Sequence, residues 1–212
     1  MVHIHGPLEV LLAHRWIDRN LTRLELVISI LLIAMTMGIF MKYVNSALAA
    51  AEKTMVATTV MNLDTALRYH AMINMLRNKP GILNVMLTQS PFAVVQVTQQ
   101  QYLKPENIVE RKLEYSLKRL MATPANYVGE VIGSDSQDLS PGDWYFDIQD
   151  RTLNYLVRNR QYFQSGIEGF PGIKLKVTLI FKDMNGDSEY QHGIDRYITI
   201  KLEAIGDYHW TV

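Results

Sequence analysis

The chain has 212 residues with 21 Lys+Arg against 21 Asp+Glu, a neutral balance that argues against a nucleic-acid module, whose phosphate contacts need a basic footprint. Only short basic patches occur, Arg111-Lys112 and Lys118-Arg119. Absence of Cys removes disulfides, thiolate metal sites and thiol nucleophiles together.

Arg15, Arg19 and Arg23 precede an uncharged run, Leu26 to Met41 (LVISILLIAMTMGIFM), which Lys42 closes. A bilayer needs roughly 20 apolar residues. Leu21 and Leu24 extend the run at one end and Lys42 can snorkel at the other, with Trp16 and Tyr43 placed as interfacial aromatics. A cleaved signal peptide is the competing reading, but the run is longer than the ~7 to 15 residues usual there and no small-x-small site follows it. The excess of positive residues before the span predicts a cytoplasmic arm over residues 1–20 and an exported chain after about Tyr43.

Beyond the span, residues 46–78 contain no Pro or Gly, and Val56, Val60, Leu63, Leu67, Ala71 and Met75 recur at spacings of three and four. That spacing predicts one helix from about Leu21 to Arg77, with an apolar stripe on its second half that requires a partner surface. Lys79-Pro80-Gly81 is expected to end it, with Gly81 in the left-handed conformation of a helix terminus.

A short apolar stretch over Pro91 to Val97 and a second helix after Pro105, carrying Val109, Leu113, Leu117 and Met121, are expected next. A Gly, Ser and Asp-rich connection should run from Gly129 to Gly142. Strands are predicted over Trp144 to Asp147, Thr152 to Val157, Ile173 to Phe181 and Tyr197 to Ile205, the last two by strict alternation. The fold class is therefore α+β: a long N-terminal helix laid on an antiparallel sheet of about four strands with one covered face.

The segment Asn20-Leu21-Thr22-Arg23-Leu24-Glu25-Leu26, followed by the apolar run, resembles the start of type IV pilins and type II secretion pseudopilins. The tract from Pro141-Gly142-Asp143-Trp144 through Arg151-Thr152-Leu153-Asn154-Tyr155 is similar to C-terminal regions of minor pilin-like proteins in pilus-biogenesis operons, including the mannose-sensitive haemagglutinin system. The resemblance implies a cleavage site between Asn20 and Leu21, Thr22 as the second mature residue, and Glu25 as the acidic fifth residue that meets the free amine of a neighbouring subunit. It also implies other pilin or pseudopilin subunits, inner-membrane assembly proteins and membrane lipid as partners, an inner-membrane location with a periplasmic domain, and no enzymatic activity. Two residues depart from the family pattern: Asn20 stands where Gly is usual before cleavage, and Arg23 stands where an apolar residue is usual. They leave open an unprocessed biogenesis protein that organises the assembly machinery, with an intermolecular Arg23–Glu25 pair in place of the missing amine. A membrane-tethered binding or sensor module is the third reading.

Asp183, Asn185, Asp187 and Glu189 place four oxygen ligands in seven residues, the one calcium candidate. Their spacing fails an EF-hand, and Asn185-Gly186 between alternating strands is expected to be a plain hairpin turn. The six histidines form no metal pair within one element, and no GxSxG elbow, phosphate loop or HExxH motif occurs.

Overall fold

The computed structural model describes residues 7–76, 79–94, 123–133 and 139–212, with side chains from residue 23 onward. By its internal contacts the chain divides into residues 1–48 and residues 49–212. The apolar stretch predicted over Pro91 to Val97 is described only as far as residue 94, where 91–94 form a helical turn, and the helix predicted after Pro105 lies outside the described residues.

Helix α1 runs over Pro7–Leu76. It begins fourteen residues before the predicted start at Leu21, because Pro at a first helical position loses no hydrogen bond and residues 8–20 hold no further helix breaker. In the first unit every large apolar side chain from Leu24 to Met41 is at least half exposed. Polar side chains there are satisfied within the helix: Ser29 Oγ donates to the Glu25 carbonyl, and Thr36 Oγ1 to those of Leu32 and Ile33. This is one helix long and apolar enough to cross a membrane.

In the second unit the predicted stripe is found. Val56, Leu63, Leu67 and Ala71 are buried, with Val60 and Met75 packed partly against the same core. Each buried Leu contributes about 1.5–3 kcal/mol of transfer free energy. The end of the helix differs from expectation. Lys79 N–H donates to the Asn74 carbonyl, and Gly81 adopts right-handed angles, φ −57°, at the start of a short helix α2, Ile82–Thr88, that buries Leu83 and Met86.

The main sheet has five strands in the order β1-β2-β3-β5-β6: β1 Tyr127–Val131, β2 Trp144–Asp147, β3 Thr152–Leu156, β5 Gly172–Lys182 and β6 Arg196–Ile205. Four of these are the predicted strands, paired antiparallel. The fifth, β1, lies parallel to β2 and overlaps the start of the connection expected from Gly129 to Gly142. Gly129 sits at a register shift in β1 with φ 116°, a conformation open to Gly, and that residue disguises the strand as a loop. A separate two-stranded sheet joins β4, Phe163–Ser165, to β7, Tyr208–Trp210.

The core face of the central strands carries Trp144 and Phe146 opposite Tyr155 and Leu153. The opposite face holds Tyr145, Asp147, Asn154 and Thr152, and these are buried too, so β2 and β3 are covered on both faces where one was expected. Asn154 Nδ2 reaches the Thr152 hydroxyl, and the Asp147 carboxylate accepts the N–H groups of Gln149 and Asp150 in the β2–β3 turn. Burial of Asp147, Asn154 and Thr152 is tolerable because each finds partners.

Candidate functional site

The residues singled out by the family resemblance all lie on α1. Asn20, Leu21 and Thr22 are in its helical backbone, while the side chains of Arg23 and Glu25 are exposed. Neither Arg23 nor Glu25 forms an ion pair with a described residue, and two residues apart on a helix they do not face each other.

Glu52 lies on the apolar stripe four residues before Val56 and is buried. Its Oε1 accepts the Tyr155 hydroxyl at 2.7 Å and the Arg158 N–H at 2.7 Å, and its Oε2 accepts the Asn159 N–H at 3.0 Å and Asn159 Nδ2 at 2.7 Å. Four donors from residues 155–159 thus take the place of water around one carboxylate, the condition under which a charge can be buried. Burial and then the bond to Glu52 raise the Tyr155 pKa well above the ordinary phenol range. Sequence reasoning passed over Glu52, although an acid on an otherwise apolar stripe was a visible signal.

Asp64 makes the second polar link from the same helix. Its Oδ1 accepts the Leu202 N–H of β6 at 2.8 Å, and its Oδ2 pairs with Arg68 at 2.8 Å. Leu202 belongs to an edge strand, so Asp64 satisfies an N–H that would otherwise be unpaired. His70 is buried with no partner for its Nε2 among the described residues, and burial lowers its pKa from 6.5 to about 4.

The expected hairpin between β5 and β6 exists, but its connection is a loop over residues 183–195 in place of a tight Asn185-Gly186 turn. The reason is a pair of aspartates that organise it. Asp183 accepts the N–H groups of Asn185, Gly186 and Ser188, which pulls its pKa below the usual carboxylate value. Buried Asp195 accepts those of Met184 and Gln191. Carboxylates of Asp183, Asp187 and Asp195 come within 4.8 Å of one another, a donor set chemically suited to a hard divalent cation. Of the predicted set, Asp183 and Asp187 join that group. Asn185 instead donates its Nδ2 to Asp187, and Glu189 is outside it, while Asp195 was not foreseen.

Beside this loop lies an open cleft of about 490 Å³. Met75, Tyr190 and Tyr197 supply apolar and aromatic walls, and Lys182, His192 and Arg196 supply basic groups. Compared with known proteins, the chain matches no family model, no curated protein and no solved structure.

Proposed function

We propose that the chain is a non-enzymatic minor pilin- or pseudopilin-like subunit, held in the bacterial inner membrane with its arm cytoplasmic and its α+β domain periplasmic. It takes part in assembling a type IV pilus or a type II secretion pseudopilus by helix association. The observation that carries this reading is a single helix with two surfaces: an exposed apolar length over residues 24–41, and a stripe from Val56 to Met75 that packs on a mostly antiparallel sheet. In lipid the exposed length is satisfied by hydrocarbon and by other helices. Glu25, exposed at its edge, is the group available to a neighbouring subunit's cation.

Asn20 and Arg23 favour a second form of the same proposal, an unprocessed pilin-like biogenesis protein that stays in the inner membrane. The intact mass of the chain, extracted from membranes of cells with an active prepilin peptidase, separates the two. Loss of residues 1–20 supports a fibre subunit whose Leu21 amine is free to meet Glu25, and a full-length mass supports the anchored form. Crosslinkers placed along residues 26–41 test both: no adduct with another pilin-like helix sinks them together.

A further inference from the structure

Asn185-Gly186, the single Asn-Gly pair in the sequence, stands exposed in the loop that joins β5 to β6. Such a pair carries a chemistry of its own, because a following Gly has no side chain to keep its nitrogen from the asparagine's side-chain carbonyl carbon. When that nitrogen loses its proton and attacks, a new C–N bond closes a succinimide ring and the amide C–N bond breaks, the amide nitrogen leaving as ammonia with the proton. Water then opens the ring to aspartate or isoaspartate. Gly186 is uncrowded: a Cβ built on it would meet no described atom within 4 Å, so approach of water is open.

Both reacting groups are tied to carboxylates. The Gly186 N–H donates to Asp183 Oδ1 at 2.6 Å, and the same oxygen accepts the Asn185 N–H at 3.1 Å. An anion hydrogen-bonded to the neutral N–H opposes its ionisation, the step that creates the nucleophile. Asp187 holds the side-chain amide at both ends: Asn185 Nδ2 donates to Asp187 Oδ2 at 2.9 Å, and Asn185 Oδ1 accepts the Asp187 N–H at 3.3 Å. Together these bonds restrict the side-chain rotation and the freedom of Gly186 that ring closure uses.

We propose that Asn185 is a site of spontaneous deamidation and that Asp183 is the positioning residue that slows it. The proposal does not depend on the chain being a pilin. Conversion acts on the loop in one direction only. The Nδ2 donor to Asp187 gives way to a carboxylate, beside Asp183, Asp187 and Asp195, whose carboxylates already come within 4.8 Å of one another. Repulsion among four acids then opposes closure of the loop.

The test incubates the full chain in detergent micelles in mildly alkaline buffer and follows the tryptic peptide over residues 183–196 by mass spectrometry, with aspartate and isoaspartate at position 185 separated by chromatography. Deamidation at Asn185 should precede that at every other Asn of the folded chain, and should run at least threefold slower there than in the same chain unfolded in guanidinium. D183A should remove most of that difference. D195N costs one of the N–H groups of Met184 and Gln191 its acceptor but leaves Gly186 bonded to Asp183, so it should speed protease cutting of the loop without a matching rise in deamidation. Earlier deamidation at another Asn, equal rates in the folded and unfolded chain, a D183A rate equal to the parent's, or a D195N rate equal to that of D183A would each overturn the proposal.

Discussion

The phenol of Tyr155 donates a 2.7 Å hydrogen bond to the carboxylate of Glu52, a residue 103 positions earlier in the chain. That bond, with three more from Arg158 and Asn159, joins the long helix to the end of β3 by polar chemistry in the midst of an apolar interface.

Glu52→Ala should therefore be a damaging change on the second half of the helix. It strands the buried hydroxyl of Tyr155, at about 1–3 kcal/mol, and releases two backbone N–H groups and an amide that are only part-buried, where water can take over much of the lost bonding. A net loss of about 2–4 kcal/mol is expected, with Glu52→Gln milder because one carbonyl oxygen remains. Urea unfolding of the solubilised protein, followed by far-UV circular dichroism, measures it, and equal stability of Glu52→Ala and the parent would contradict the role.

Asp64→Ala should act more locally. Arg68 is half exposed, so losing the ion pair costs little. Releasing the Leu202 N–H at a sheet edge is the larger effect, about 1–2 kcal/mol. Hydrogen exchange should speed up at Leu202 and its neighbours in β6, whereas Asp64→Asn, which keeps an acceptor, should preserve most of the protection.

His70 predicts a pH dependence with a definite sign. Its folded pKa of about 4 lies below the ordinary 6.5, so the unfolded chain binds the extra proton first as pH falls. Its effect on stability is absent above about pH 6.5 and becomes a growing penalty between 6.5 and 4, reaching up to about 3 kcal/mol at the lower end. His70→Leu removes the orphaned Nε2 and should flatten this part of the stability curve. An unchanged slope in that variant would assign the effect to other groups.

Asp183→Ala should loosen the β5–β6 loop without unfolding the domain. Three N–H groups lose their acceptor on an exposed turn, where water can replace it. Proteases should cut within residues 183–195 faster in the variant, at an unchanged melting temperature of the core.

For the membrane segment, Ile33→Arg is the informative change. Ile33 is exposed in the middle of the apolar length, where an arginine costs about 3 kcal/mol on insertion. The variant should shift from the carbonate-resistant membrane fraction toward the soluble one, and retention equal to the parent would argue that this length does not span.

Much of this architecture was legible because it rests on periodicity. Val56, Leu63, Leu67 and Ala71 announce a buried helical face, and the alternation in Ile173 to Phe181 and Tyr197 to Ile205 announces a hairpin. Strand β1 was hidden by Gly129, whose positive φ permits an irregular strand that composition describes as a loop. Strands β4 and β7 have three residues each, too few to display a period. The loop over 183–195 was misjudged because a two-residue Asn-Gly signal was weighed without Asp195, whose contribution comes from the far end of the connection. The cleft was invisible for the same reason, since Met75, Lys182 and Arg196 meet only after the helix and hairpin have packed.

The two acids of the long helix have one more consequence. An apolar stripe of residues repeating every three or four positions is nearly self-similar, so sliding it by one turn, ~5.4 Å, exchanges one aliphatic contact for another at modest cost. Glu52 and Asp64 do not permit that exchange, because each reaches a fixed set of donors, one at residues 155–159 and the other at Leu202. Twelve residues apart, or about 18 Å of helix, they act as two pins that set both the axial position and the rotation of the helix on its sheet. A pull along the helix axis would then be resisted first by two carboxylates in shear, and only afterwards by the peeling of the apolar stripe.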